Sequence, residues 1–187
     1  MTLENRLAWK KKLVRSAASM PFISWLRDRN SLTARLQNRG TFDVRVLRQG
    51  LAVPTFDEAV ALGIRRKRLA WVREVALYCD GKPVVFAHTV LPYRPRGPMT
   101  GWLARLGNRS LGALLFSHPG FARGPLRSKR IDRRHALYAP AIAAMHLEQK
   151  AAQPADATPA ILWARRSGFS FGRQTVLVTE VFSPTLC

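Results

Sequence analysis

A chain of 187 residues is the size of one compact domain, and its 47% hydrophobic content can build a core without metals or disulfides. Its 31 Lys and Arg against 11 Asp and Glu give a net charge of +20, which indicates nucleic acid, an anionic membrane surface or an anionic small molecule as the partner. No apolar run approaches the roughly 20 residues of a membrane-spanning helix, and the first residues lack the apolar stretch of a secretory signal. We therefore expect a cytoplasmic protein without a transmembrane segment.

The N-terminal part of the chain predicts three helices and one strand. The helices are expected over residues 3–18, 31–39 and 55–62, and the strand over residues 42–46. The helix over 31–39 has the clearest limits, because Ser31 can cap its first turn and Gly40 can end it. In the helix over 55–62, Thr55 and Glu58 have the spacing of a capping box.

The strongest local prediction is a β-hairpin in the middle of the chain. Residues 69–79 form one strand, Asp80 and Gly81 form a two-residue turn, and residues 84–90 form the returning strand. An Asp-Gly pair is typical of such turns because both residues tolerate the left-handed backbone conformation that the turn requires.

The C-terminal half predicts two short helices, an insertion and two further strands. The helices cover residues 99–106 and 110–116, the strands cover 162–166 and 175–182, and residues 131–160 read as a helix-and-loop insertion. Helices, hairpin, helices and strands in this order predict one α+β domain over residues 1–187, with an antiparallel sheet of about six strands flanked by helices.

Three strands each carry one ionisable residue on a face that is otherwise apolar: Arg73, His88 and Glu180. A buried charge is costly without a partner. Two interpretations stay open, because Arg73 and Glu180 can pair with each other across the sheet or line a cavity whose ligand supplies the missing partner. A carboxylate would match the two-pronged donor geometry of Arg73. A lone histidine such as His88 is more often a satisfied core residue than a catalytic one.

Several segments, in this order along the chain, resemble the chorismate lyase family. The resemblance is carried by the hairpin WVREVALYCDGKP with AHTVLP, by the helix SLGALLF, by the last two strands LWARRS and VLVTEVFSP, and by the N-terminal SWL and SLTARL. Each segment is weakly specific alone, whereas their shared order and spacing are more specific.

The resemblance implies an antiparallel sheet whose helices enclose an internal ligand site. It also implies a carbon–oxygen lyase that needs no cofactor or metal and eliminates pyruvate from chorismate to give 4-hydroxybenzoate, the first committed step of ubiquinone biosynthesis. The catalytic and substrate-contacting residues of the family fall on Arg73 and Glu180, with further substrate contacts on Leu111 (through its backbone) and Leu32. His88 stands where an arginine is expected and is included as a fifth, weaker contact.

Other functions and partners follow from the same observations. The alternatives to an enzyme are a non-catalytic, effector-type domain that binds an aromatic acid on a related scaffold, and a basic nucleic-acid-binding protein. As a lyase, the chain is expected to be a monomer with chorismate and 4-hydroxybenzoate as its small-molecule partners. No specific nucleic acid is expected as a partner, and the charge is compatible with loose association with a membrane surface.

The insertion over residues 131–160 is longer than the family leads us to expect. It either covers the ligand site or lies on the surface as an inert segment.

Overall fold

The computed structural model describes residues 9–11, 15–65, 67–93, 98–147 and 158–186. Within these ranges lie six α-helices and seven strands. The α-helices are Ile23–Arg27, Leu32–Gln37, Phe56–Leu62, Pro98–Ala104, Leu111–Ser117 and Tyr138–Ala144. The strands are β1 (Phe42–Ala52), β2 (Ala70–Cys79), β3 (Lys82–Pro92), β4 (Ala122–Arg123), β5 (Arg127–Ile131), β6 (Leu162–Phe171) and β7 (Gln174–Phe182). Single 3-10 turns cover Met20–Phe22 and Pro184–Leu186.

The strands form one antiparallel sheet in the order β1-β2-β3-β7-β6, and both β4 and β5 pair with the outer side of β6. The predicted hairpin joins β2 and β3, and its turn residues Asp80 and Gly81 have φ of 50° and 74°. The α+β class is therefore confirmed. The short strands β4 and β5 were missed, because too few residues alternate there to give a strand pattern.

The two faces of the sheet are covered by different helices. The front face, which carries Val75 and Leu77, packs against the N-terminal helices through Leu32 and Leu36. The back face, which carries Ala76 and Tyr78, packs against Tyr138–Ala144. Burying a Leu side chain of this kind contributes about 2 kcal/mol, so each helix is held mainly by its apolar face.

The helices predicted over 31–39 and 55–62 are confirmed, and the second has the complete Thr55 capping box. The helix predicted over 3–18 is wrong for residues 9–11 and 15–18, which are not helical; Lys10 instead forms an isolated bridge with Ser128. The remainder of that prediction, residues 3–8 and 12–14, lies outside the described residues. An amphipathic pattern this weak does not outweigh pairing with the end of the sheet.

The segment over 131–160 contains the helix Tyr138–Ala144, whose Ala141 and Ile142 are buried against the back face. Residues 148–157 lie outside the described part of the chain. None of the helices in the described ranges has the length and apolar content needed to cross a bilayer.

Candidate functional site

A pocket lies on the front face, between the sheet and the helices Leu32–Gln37 and Leu111–Ser117. It holds about 590 Å³ of space free of atoms, part of it open to solvent. Apolar side chains form much of its wall, and its charged lining residues are three arginines and one carboxylate: Arg73, Arg109, Arg123 and Glu180. The pocket is therefore electropositive, which suits an anionic ligand.

Arg73 is a buried cation whose acceptors in the described part of the chain are all neutral. Its side chain is among the largest fully buried ones, with the residue 2% exposed. Nη1 donates to Oε1 of Gln49 at 2.6 Å and Nη2 donates to the carbonyl of Arg109 at 3.1 Å. No carboxylate in the described ranges forms an ion pair with it, and burial lowers its pKa. A guanidinium in this setting has charge and donors to offer an anion.

The carboxylate of Glu180 is paired with Arg165 rather than with Arg73. Its carboxylate accepts a hydrogen bond from Nε of Arg165, which is 1% exposed. Nη1 of Arg165 donates to the carbonyls of Trp25 and Asp28, both at 2.7 Å. Arg165 thus fixes the direction of the Glu180 carboxylate and ties the end of the first helix to the sheet.

The strand register places Arg73 and Glu180 on the same face, two strands apart. Arg73 of β2 pairs with Thr89 of β3, and Ala87, two residues away on β3, pairs with Glu180 of β7. Of the two interpretations, the one in which Arg73 and Glu180 form an ion pair with each other is wrong, because Glu180 pairs with Arg165. Both side chains line the same pocket instead.

Two capped helices bring Leu32 and Leu111 to the pocket. Ser31 and Ser110 cap them, accepting hydrogen bonds from the backbones of Ala34 and Gly112 at 3.3 Å and 3.1 Å. The hydroxyls of Thr33 and Ser110 lie 2.5 Å apart and link the two helix starts. Gly112 permits this approach, because a Cβ there would lie 2.8 Å from Oγ1 of Thr33.

Arg123 was not found from the sequence. It lies in the two-residue strand β4, which has no periodicity to mark a buried face. Nε donates to the hydroxyl of Ser167 at 3.1 Å, and Nη1 donates to the carbonyl of Arg29. The guanidinium also lies 5.2 Å from the centre of the Phe169 ring. Burial, together with the charge of Arg165, lowers the pKa of Arg123.

His88 is the one predicted site residue that the structure does not bring to the pocket. It lies on the back face, paired in register with Glu74 of β2 and Thr179 of β7. Nδ1 is 3.1 Å from Oε1 of Glu74, and Nε2 is 3.2 Å from Oε1 of Glu58. The expected contact between His88 and the ligand is therefore corrected. The alternation of residues along β3 identified the apolar neighbours of His88. Its acidic partners lie elsewhere, Glu74 on β2 and Glu58 on the helix Phe56–Leu62.

The back-face charges form a paired network. Burial alone would lower the pKa of His88, but the hydrogen bonds and charges of Glu58 and Glu74 raise it to about 9. Arg166 completes the network with ion pairs to Asp57 at 2.8 Å and Glu58 at 3.5 Å. Burial would raise the pKa of the Asp57 carboxyl, but Arg166 holds it well below its usual value.

The described residues contain no group of three His, Cys, Asp or Glu side chains that could hold a metal ion. The fold and the pocket define an α+β protein with an electropositive pocket on one face of its sheet.

Sequence comparison gives the family. The family model described as chorismate lyase matches residues 3–186. A protein of Dechloromonas aromatica named "Probable chorismate pyruvate-lyase" is 47% identical over 97% of both chains. One of Aromatoleum aromaticum with the same name is 46% identical over 95% of this chain and 92% of its own. The chain belongs to the chorismate lyase family.

Solved structures with a similar fold include transcriptional regulators. PhnF from Mycobacterium smegmatis matches with a TM-score of 0.58 and 18% identity, over 85% of this chain and 66% of that one. A regulator of the GntR family from Bacillus cereus matches with a TM-score of 0.54 and 13% identity, over 78% of this chain and 94% of that one. These likenesses show the fold alone.

Proposed function

We propose that this protein is a chorismate pyruvate-lyase, which converts chorismate to 4-hydroxybenzoate and pyruvate in the first committed step of ubiquinone biosynthesis. The observation that carries the proposal is Arg73, which is buried without a carboxylate partner among the described residues, in a pocket that also contains Glu180. Membership of the chorismate lyase family and the names of its relatives support the same activity.

The reaction needs binding and proton transfer rather than redox chemistry. Chorismate carries a ring carboxylate, a hydroxyl at C4 and an enolpyruvyl ether at C3 whose side chain ends in a second carboxylate. The C3–O bond breaks, the proton at C4 leaves, and the released enolpyruvate takes up a proton to become pyruvate. Formation of the aromatic ring supplies the driving force, and we expect no cofactor or metal to take part.

In this proposal Arg73 binds the ring carboxylate with its paired N–H groups. Glu180, oriented by Arg165, accepts a hydrogen bond from the ring hydroxyl and assists removal of the neighbouring proton. General base assistance of this kind typically contributes 10²–10⁴-fold. Leu32 and Leu111 form the apolar wall against the ring, and the backbone of Leu111 provides a further contact.

The second carboxylate of chorismate requires a second cation. Arg123 lines the same pocket, has no ion pair in the described ranges and is partly buried. We assign it to the enolpyruvyl carboxylate. Arg73 and Arg123 would then hold the two separated carboxylates of one substrate molecule.

The test is to incubate the purified full-length protein with chorismate and a metal chelator and to separate the products by chromatography against standards. We expect 4-hydroxybenzoate and pyruvate in equal amounts. Tight binding of 4-hydroxybenzoate without any consumption of chorismate would favour the effector-type alternative. A different hydroxybenzoate isomer would mean a related but distinct lyase. The cytoplasmic location and the monomeric state stay predictions.

A further inference from the structure

One end of the sheet exposes a row of apolar side chains. The end of β1 pairs with the start of β2 through Ala52 and Ala70, and Ala70 pairs with Pro92 at the end of β3. The next residue outward on each of these three neighbouring strands is large and apolar: Val53, Leu69 and Tyr93. They are 63%, 47% and 41% exposed. Three such side chains on adjacent strand ends form a local patch rather than scattered exposure.

The same end carries a cluster of cations. Arg65, Lys67 and Arg68 lie in the segment that leads into β2, and Arg173 lies in the turn between β6 and β7. All four are exposed, and with Leu69 and Tyr93 they line one open groove. Among the described residues that line this groove there is no Asp or Glu.

We propose that this end of the sheet docks on the surface of an anionic phospholipid membrane. The four cations meet lipid phosphates, and Val53, Leu69 and Tyr93 enter the boundary between head groups and acyl chains. A nucleic acid would use the cations in the same way, but its phosphate backbone gives the exposed aliphatic side chains nothing to pack against. The apolar row therefore favours the membrane.

Docking at this end involves different residues from those that line the catalytic pocket. Leu32, Arg73, Leu111 and Glu180 are absent from the groove, and Arg65, Lys67 and Arg68 are absent from the pocket. Membrane binding and chorismate turnover can consequently be tested separately, and failure of one leaves the other standing.

The experiment is co-sedimentation of the full-length protein with vesicles of phosphatidylglycerol and phosphatidylcholine, compared with vesicles of phosphatidylcholine alone. We expect binding to the anionic vesicles that falls with salt. Each cation removed at a membrane surface lowers partitioning by about fivefold, so Arg65→Gln, Lys67→Gln and Arg68→Gln together should lower it about a hundredfold. The triple variant should keep wild-type turnover of chorismate.

A matched control separates this surface from the net charge. Arg130→Gln, Arg133→Gln and Arg134→Gln remove the same charge from exposed positions elsewhere, and we expect less than about a threefold effect. An equal loss in both triples would overturn the proposal, because binding would then follow net charge alone.

The apolar row has its own control. Val53→Ser with Leu69→Ser should weaken vesicle binding about tenfold at constant charge, whereas Met20→Ser with Leu47→Ser, which alters comparably exposed side chains, should not. Unchanged binding in the Val53 and Leu69 variant would overturn the proposal. So would equally tight binding of a duplex RNA that the first triple variant weakens to the same extent.

Discussion

The two faces of the sheet carry buried charges that have opposite consequences. On the back face His88 and Arg166 are each in contact with two carboxylates. On the front face, the acceptors that the described residues offer Arg73 are an amide and a carbonyl. A buried cation that is paired with carboxylates has a structural role. One that lacks a carboxylate can still form an ion pair with an anionic ligand. The pairing register between strands, rather than the apolar neighbours along one strand, therefore distinguishes a structural charge from one that can bind a ligand.

The largest expected effect is that of Arg73→Met, which removes the charge of Arg73 and keeps much of the apolar side chain. Truncating one partner of a buried, hydrogen-bonded charge pair costs several kcal/mol, so kcat/KM for chorismate should fall about a thousandfold. The free energy of unfolding should stay the same or rise, since an uncompensated cation is lost. Steady-state kinetics and urea denaturation measure the two quantities. Wild-type kcat/KM in this variant would exclude Arg73 from the site.

Arg166→Met is the matching change on the back face and should have the reverse outcome. It leaves Asp57 and Glu58 without their guanidinium partner. We expect the free energy of unfolding to fall by about 3 kcal/mol, because a broken buried ion pair leaves carboxylates uncompensated. In the protein that remains folded, kcat/KM should stay within about threefold of wild type. A large loss of kcat/KM at unchanged stability would mean that the two faces are not functionally separate.

The paired state of His88 on the back face predicts a pH dependence of the free energy of unfolding. His88 holds its proton up to about pH 9 in the folded protein, while in the unfolded chain the pKa of the imidazole returns to its ordinary value of 6.5. Its stabilising contribution is therefore complete below pH 6.5, declines between pH 6.5 and 9, and is absent above. Raising the pH from 7 to 9.5 should lower the free energy of unfolding by about 2 kcal/mol. The difference between wild type and His88→Gln in denaturation curves should shrink by this amount across that range; a constant difference would refute the paired state of His88.

The smallest expected effect is that of Arg123→Met, which removes the pocket cation assigned to the enolpyruvyl carboxylate. We expect KM for chorismate to rise about fivefold with a smaller change in kcat, because a partly exposed ionic contact contributes about 1 kcal/mol. Arg127→Met is the control, since it removes the same charge from an exposed position on β5. Equal KM values in the two variants would remove Arg123 from the substrate site.

Much of the fold follows from local signals in the sequence. The Asp80-Gly81 turn, the Ser31 cap and the Thr55–Glu58 capping box each determine backbone geometry within a few residues, and the structure has all three. The short strands β4 and β5 do not follow, because they form only by pairing with β6, which lies far along the chain.

The candidate site was predictable in part for the same reason. Alternation along a strand gave the faces of Arg73 and Glu180, and the family resemblance gave Leu32 and Leu111; all four line the pocket. The partners of these residues come from elsewhere in the chain. Glu58 reaches His88 from a helix 30 residues earlier, and Arg165 reaches Glu180 across a strand pair. Such contacts depend on tertiary packing, which periodicity does not contain.

The most direct measurement is a crystal structure of the protein in complex with 4-hydroxybenzoate. The prediction is that the ligand lies on the front face, with its carboxylate about 2.8 Å from the Arg73 guanidinium and its hydroxyl directed towards Glu180. A ligand bound outside this pocket, or with its carboxylate turned away from Arg73, would contradict it.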